Sequence, residues 1–448
     1  MFKNWKAILM LAIPSIFSFA TMTVTGTINL IVVGQLGAVM IAIVGVSNII
    51  MYNSWALFSG IGHTVNYLVA QSYGAGENRK AVERTYLALY ICVGVFLIIC
   101  IVGTLASGFL LQLITGMKDI AETGEFYVQL RFYAMGFGIF SFVFHGFFRG
   151  IGDTRTPAYL TLISSIIMIF LTYVLTYGIY GFPKLGLDGA GWAFLIGEAV
   201  GFLGCVYVFF VRLNKSFITR LRVTFRRDES RLILQESGKL GIQEFALSAS
   251  MFIFTMFVAR LGQNALAANE IALNVMSFGF MPAFAFGATA TILVGQQIGK
   301  GNPLMGRRLG TETAILGSIM LITIGIIEFF FAEPIARLFS PDPEIFHLVT
   351  RLIMISAFLQ LFDGFLNFYA GGLRGIGDTT FLMKASFFFG VIIFVPLSYI
   401  LIFVLDLGSV GAWLSLYTFL TLFALSVTIR YYRTDWSNVR LKTSHPHV

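Results

Sequence analysis

The sequence predicts an all-α polytopic membrane protein, twelve transmembrane helices in two pseudo-symmetric six-helix lobes, on three observations. Hydrophobic residues make up 57% of the 448 residues and charged residues only 12%, and the mean hydropathy of +0.84 lies far outside the range of a soluble domain. Apolar runs long enough to cross a hydrocarbon core of about 30 Å recur along the whole chain. They are continuously apolar, not alternating as barrel strands would be. Finally, Arg149-Gly150-Ile151-Gly152-Asp153-Thr154 returns unchanged as Arg374-Gly375-Ile376-Gly377-Asp378-Thr379, an offset of 374 − 149 = 225. Duplicated units with an even number of crossings share one orientation and pair about an axis normal to the bilayer, an architecture of transporters.

Taken in order, the first half offers runs at 7–33, 40–70, 85–113, 126–148, 157–181 and 187–213. The second half offers runs at 236–259, 267–297, 310–339, 345–372, 380–406 and 408–430. The expected domains are an N-terminal lobe at 1–213, a basic cytoplasmic linker at 214–235, a C-terminal lobe at 236–430 and a cytoplasmic tail at 431–448. The first run starts almost at Met1 and far exceeds the roughly 7–15 residues of a signal-peptide core, so it is expected to remain as a helix. After it, Leu36-Gly37 marks a turn that the same offset carries onto Leu261-Gly262. Gly62 and Thr64 map onto Gly287 and Thr289, and Gln71, Gly74 and Gly76 onto Gln296, Gly299 and Gly301, so the second and eighth runs end alike, in glycine turns that terminate helices. The repeated hexapeptide follows the fourth and tenth runs. Its glycines permit a tight hinge while its Arg and Asp pair or cap helix ends. The sharper alternative makes Arg149, Asp153, Arg374 and Asp378 gating residues that close the inner side. Pro14, Pro282 and Pro396 fall inside runs and permit bending there. Cys92, Cys100 and Cys205 also lie within runs, without Cys-x-x-Cys spacing, and are expected to serve packing.

The formal net charge of +8 is concentrated in alternate connections. Lys3 and Lys6, Arg79 to Arg84, Arg149 and Arg155, Lys215 to Arg231, Lys300 to Arg308, Arg374 and Lys384, and Arg430 to Lys442 fall at the N-terminus, the even-numbered connections and the tail. The remaining connections hold Lys118, Lys184, Arg260 and Arg337, diluted by Asp119, Glu122, Glu125, Asp188, Glu333, Asp342 and Glu344. By the positive-inside rule both termini are expected to be cytoplasmic, in a multi-pass protein of the cell membrane. Such scatter beside a bilayer does not make a nucleic-acid surface. Enzyme readings have nothing to rest on. No strand precedes a phosphate loop, and Gly295-Gln296-Gln297-Ile298-Gly299-Lys300-Gly301 is one residue short of one and lacks its final Ser or Thr. No hydrolase motif or metal-spaced His/Cys cluster occurs, and His63, His145 and His347 stand apart. No cofactor is expected.

A charge near the bilayer centre costs roughly 2.5–3.5 kcal/mol on insertion scales, which makes each such residue a functional candidate. Gln360, Asp363 and Asn367, spaced i, i+3, i+7, line one face of the tenth run, and Asp363 is the leading candidate for a functional buried charge. Glu270, Asn274 and Ser277 make a second polar stripe in the eighth run. Glu244 is expected at the start of the seventh helix, as a first-turn acid or a coupling residue. Glu198, Glu312, Glu328 and Arg131 have no comparable polar stripe beside them and are expected in packing or interfaces. With 47 Phe, 16 Met and 17 Tyr the chain has the material for an adaptable cavity for flat amphipathic cations. Tyr52, Trp55, Phe278, Met281 and Tyr369 are candidate liners, together with Asn29, Gln360, Asn367, Asn274 and Ser277.

The chain resembles the multidrug and toxic compound extrusion (MATE) family over essentially its whole length. The pieces that match are Leu36-Gly37, Val69-Ala70-Gln71-Ser72-Tyr73-Gly74-Ala75-Gly76, Met281-Pro282, Ala288-Thr289-Ala290, Leu293-Val294-Gly295-Gln296-Gln297-Ile298-Gly299 and both hexapeptides. The resemblance implies a V-shaped pair of six-helix lobes, bacterial in type, that exports organic, mostly cationic compounds in exchange for protons or sodium ions. The stretch from Asp363 to Arg374 is similar to the segment that carries a coupling carboxylate in several branches. Departures from the pattern are informative. Where many members hold an Asp in the first helix this chain has Asn29, and Met168 and Thr172 stand where asparagines often brace that site. A helix-7 Glu of some sodium-linked members falls near Met251, with Glu244 two turns earlier. Coupling is therefore expected in the C-terminal half.

A carboxylate between helices has its charged form disfavoured, so binding of a small cation there, exclusive with cargo, converts an inward ion gradient into outward cargo movement. The rival within the wider superfamily, a lipid-linked saccharide flippase, calls for a cationic cavity, whereas Arg131 is nearly alone. A channel or sensor, from a different class, calls for a selectivity filter that the sequence lacks. The expected partners are small organic cations, the coupling ion (H+ or Na+) and the lipid bilayer, with the protein a monomer.

Overall fold

A computed structural model describes residues 4–339 and 343–443. Lys3, Asp342 and the end of the expected tail, 444–448, lie outside the described residues. Among the described residues are twelve helices long and apolar enough to cross a membrane. In the first half they are α1 (Trp5–Gly34), α2 (Ala38–Gly74), α3 (Asn78–Thr115), α4 (Lys118–Gly150), α5 (Arg155–Tyr177) and α6 (Leu187–Arg212). In the second they are α7 (Arg227–Ala259), α8 (Gln263–Gly299), α9 (Pro303–Phe330), α10 (Pro343–Ile376), α11 (Thr379–Val404) and α12 (Gly408–Arg433). The protein is all-helical and multi-pass, as its apolar runs predict.

The helices gather into two compact units, one of Phe17–Gly241 and one that joins residues 4–16 to Ile242–Lys442. This division differs from lobes at 1–213 and 236–430, because the polar starts of α1 and α7 find partners beyond their own half of the chain. Asn4 Nδ2 donates to Glu312 Oε2 in α9 at 3.1 Å, with Ile8 and Ala12 in the core of that unit. Equivalently (229 − 4 = 225), Glu229 Oε2 accepts from Arg84 Nε in α3 at 3.1 Å, with Ile233 and Leu240 in the core of the other unit. Asp228 and Glu229 occupy the first turn of α7, where acids favour a helix start. They set its beginning at Arg227, inside the span expected to be linker. The rest of the linker packs down as well, with Thr219 Oγ1 donating to Phe209 O at 2.6 Å and Tyr86 OH to Thr219 O at 2.8 Å. The tail likewise folds back. Trp436 is buried and donates to Tyr431 O at 2.8 Å, and Lys442 Nζ reaches Gly377 O at 3.2 Å.

The repeat is carried into three dimensions by glycines at close helix crossings. A Cβ on Gly146 of α4 would collide with Gly62 O of α2, and a Cβ on Gly371 of α10 with Gly287 O of α8. Four residues on, Gly150 lies against Val69 and Gly375 against Val294. Small residues let helix backbones approach, and in a bilayer that contact is a main source of association. Both hexapeptides end their helices in the same way. Gly152 (φ 89°) and Gly377 (φ 84°) take the left-handed conformation that a side chain resists. Asp153 N then donates to Phe148 O at 2.8 Å and Asp378 N to Leu373 O at 2.9 Å.

Pro14 and Pro282 lie inside α1 and α8. In α11 the short α-helical stretch Val395–Tyr399 containing Pro396 is flanked by π-helical turns, Phe387–Phe394 and Ile400–Val404. Wider turns accommodate a residue with no N–H to donate. Cys92 and Cys205 are buried and Cys100 is half-buried, all three as free thiols.

Candidate functional site

In the unit that contains Ile242–Lys442, α10 presents its polar stripe to α8 and α9. Asp363 is 6% exposed and enters no ion pair among the described residues. Its support comes from its own helix: Asn367 Nδ2 donates to Asp363 Oδ1 at 3.3 Å and to Asp363 O at 2.9 Å. One turn earlier, Gln360 Nε2 donates to Glu328 Oε2 of α9, within a buried pair. Gly279 of α8 makes the space, since a Cβ there would strike the Gln360 amide. Two carboxylates, an amide from each of two turns of α10 and a bare backbone on α8 thus share one face of the unit.

Glu244 is placed differently from expectation. Because α7 begins at Arg227, Glu244 is no first-turn acid but lies deep in the helix, where Arg374 Nη2 meets its Oε1 at 3.4 Å. Glu270 and Asn274 are exposed on their unit. Asn274 Nδ2 donates to Glu270 O at 2.8 Å and Ser277 Oγ to Asn274 O at 2.6 Å, so this stripe binds its own backbone and not Asp363. Phe278 is exposed and Met281 half-buried. Tyr369 is buried in an aromatic cluster, its ring 5.0 Å from Tyr431 and its OH 3.0 Å from Tyr432 OH.

The other unit holds no carboxylate at the position of the missing first-helix acid. Ser18 Oγ donates to Thr161 Oγ1 at 3.3 Å and Tyr177 OH to Val32 O at 2.6 Å. These bonds fix α1 beside α5 with offsets of 161 − 18 = 143 and 177 − 32 = 145, which brings Asn29 level with Thr172. Both are buried, and neither the Asn29 amide nor the Thr172 hydroxyl has a hydrogen-bond partner among the described residues. Tyr52 is exposed, and Trp55 stands edge-on to Phe142 at 5.4 Å. Arg131 is held by Asn48 at 3.2 Å and Tyr127 at 2.8 Å, over the Phe194 ring at 3.9 Å.

The repeated architecture has a counterpart in a known family model, described as MatE, which matches twice, over residues 14–174 and 240–400. The chain belongs to the MatE family. Relatives include the probable multidrug resistance protein NorM of Thermotoga maritima, 29% identical over 92% of this chain and 88% of that protein. The multidrug resistance protein PmpM of Pseudomonas aeruginosa is 28% identical over 96% of this chain and 91% of its own length. Solved structures share the fold, among them an outward-facing multidrug resistance MATE family transporter of the MOP superfamily, with TM-score 0.87, 20% identity and coverage of 95% and 96%. A MOP superfamily transporter from Pyrococcus furiosus gives TM-score 0.86 at 20% identity, covering 95% of each chain.

Within this MatE chain the two hexapeptide loops share a backbone but not partners. Arg374 meets Glu244, whereas Arg149 is buried 5.2 Å from the ring centre of Phe19, the equivalent position (244 − 19 = 225). Asp153 accepts from Thr156 N at 3.0 Å and caps α5, whereas Asp378 accepts from Arg430 Nε at 2.8 Å. The residue that sequence reasoning undervalued is Glu328. Its partner lies across a helix interface, and the only signal was Gln360 on the stripe already singled out.

Proposed function

We propose that this MatE-family chain is a secondary-active multidrug efflux antiporter. It exports organic, mostly cationic amphipathic compounds in exchange for protons or sodium ions, with Asp363 as the coupling carboxylate. The observation that carries this reading is the buried Asp363, which among the described residues has no basic partner and is steadied by Asn367 of its own helix. A structural ion pair neutralises its acid permanently, whereas an acid kept free of one is available to a mobile cation. The names of the multidrug resistance relatives support the multidrug efflux part of this reading. Export of a cation against the membrane potential costs about 2.3 kcal/mol per charge per 100 mV, and one incoming cation offsets it.

In this reading the Asn29 region, which has no charge to exchange, hydrogen-bonds cargo or braces its helices. The Lys and Arg distribution supports cytoplasmic termini in the cell membrane, and the protein acts as a monomer. The test is exchange in proteoliposomes loaded with a fluorescent organic cation, with pH and sodium gradients imposed separately. Asp363→Asn is expected to abolish gradient-driven transport while the circular dichroism of the helices is retained. Parent-like rates in that variant would remove Asp363 from the mechanism.

A further inference from the structure

Glu328 sits two residues before the end of α9 at Phe330, 4% exposed, and its partner Gln360 is 1% exposed. The Gln360 amide donates to one carboxylate oxygen, Oε2. The second oxygen of each group, Glu328 Oε1 and Gln360 Oε1, is buried and has no hydrogen-bond partner among the described residues. Both are acceptors, so neither satisfies the other, and burial of unpaired acceptors on an ionised group is costly. A single hydrogen removes the fault. Placed on Glu328 Oε1, it makes that atom a donor while the Gln360 oxygen remains an acceptor, and the pair becomes a reciprocal acid–amide dimer. Two oxygens are too few to replace the water shell of a sodium ion, so the chemistry favours a proton.

We propose that Glu328, paired with Gln360, is a second proton-binding site, beside Asp363 and separate from it. The O–H bond forms at Glu328 Oε1 from a proton of the bulk water and breaks when the pair opens and returns the proton to water. No electron moves, and the pair alternates between charges of −1 and 0. Among the described residues, the elements next to the pair carry few charged or titratable groups. α10 brings Asp363 on the turn after Gln360, α8 brings only the bare backbone of Gly279 against Gln360, and on the short helix Ala332–Phe339 that follows α9 Arg337 pairs with Glu333 at 2.5 Å and lies over the Phe346 ring. From α12, Tyr417 packs against Phe362. Arg307 and Arg308 lie at the opposite end of α9, so Glu328 stands toward the face away from that basic end, where an incoming proton meets it before Asp363. What the proton drives rests on the coupling role of Asp363; where it sits does not.

The test is infrared spectroscopy of the purified full-length protein in lipid nanodiscs at neutral pH, which reads the carbonyl stretch of protonated carboxyl groups directly. Glu328→Gln is expected to remove protonated-carboxyl intensity that the parent shows, and Gln360→Leu to keep that band but shift it to higher frequency as its hydrogen bond is lost. A spectrum of Glu328→Gln with undiminished intensity would overturn the proposal. In proteoliposomes the same variant is expected to lose at least tenfold of pH-gradient-driven uptake and to flatten its pH profile; a parent-like profile would overturn a part for this proton in transport. Asp363→Asn separates the two ideas. Normal exchange in that variant, with the Glu328 band intact, defeats the coupling reading and leaves the second site standing.

Discussion

The Arg374–Glu244 contact offers a quantitative test, because the repeat supplies its own control. The two side chains are 10% and 21% exposed and approach at 3.4 Å. At that separation and an effective dielectric of about 20, the gross attraction is about 5 kcal/mol before desolvation is charged against it. Arg374 Nε is buried and has no partner among the described residues, so the guanidinium is not fully satisfied elsewhere. Removing one member strands the other, which for a buried pair costs about 3–5 kcal/mol, with the lower end expected at this exposure. The double variant leaves no stranded charge. A cycle of Arg374→Gln, Glu244→Gln and both together should therefore show a coupling of about 1–3 kcal/mol, the double variant being less destabilised than the sum. The assay is equilibrium unfolding in mixed micelles of rising SDS fraction. At the equivalent position Arg149 faces the Phe19 ring, so Phe19→Leu should cost no more than about 2 kcal/mol, the upper range for a desolvated cation–π contact. Strict additivity in the Arg374–Glu244 cycle would refute the pairing.

Other outcomes follow from the packing. Gly371→Ala and Gly146→Ala each drive a methyl group into the facing backbone carbonyl and should cost about 1–3 kcal/mol in the same assay. Gly94→Ala in α3, where nothing lies within 4 Å, should stabilise by about 0.5–1 kcal/mol. Gly377→Ala forces a side chain into φ 84° and should cost about 1–2 kcal/mol, read as a lower melting temperature. Trp413 donates to Asn269 Oδ1 at 3.1 Å in the core, so Trp413→Phe should cost about 1–3 kcal/mol through the stranded amide oxygen, and Trp413→Phe combined with Asn269→Leu should recover part of it.

Much of this was legible in the sequence for a local reason. A hydrocarbon span demands a run of apolar residues, and a left-handed turn demands glycine, so helix count and the equivalence of Gly152 with Gly377 could be read one segment at a time. The stripe at Gln360, Asp363 and Asn367 was legible too, because helical spacing alone puts these residues on one face. The start of α7 was hidden, since its first turns are polar and resemble a linker. For the same reason Glu244 was expected in a first turn when it lies well inside the helix.

By itself the sequence determined the number of crossings, the twofold repeat and the acid that stands apart from any basic run. These are properties of composition and periodicity, and no neighbour is needed to define them. Only the tertiary structure decided which side chains meet: Glu328 with Gln360, Glu244 with Arg374, Arg149 with the Phe19 ring, and the first residues of α1 with α9. Helical periodicity fixes the face a residue occupies, but which helix lies opposite that face, and at what height, is set by packing across the whole unit.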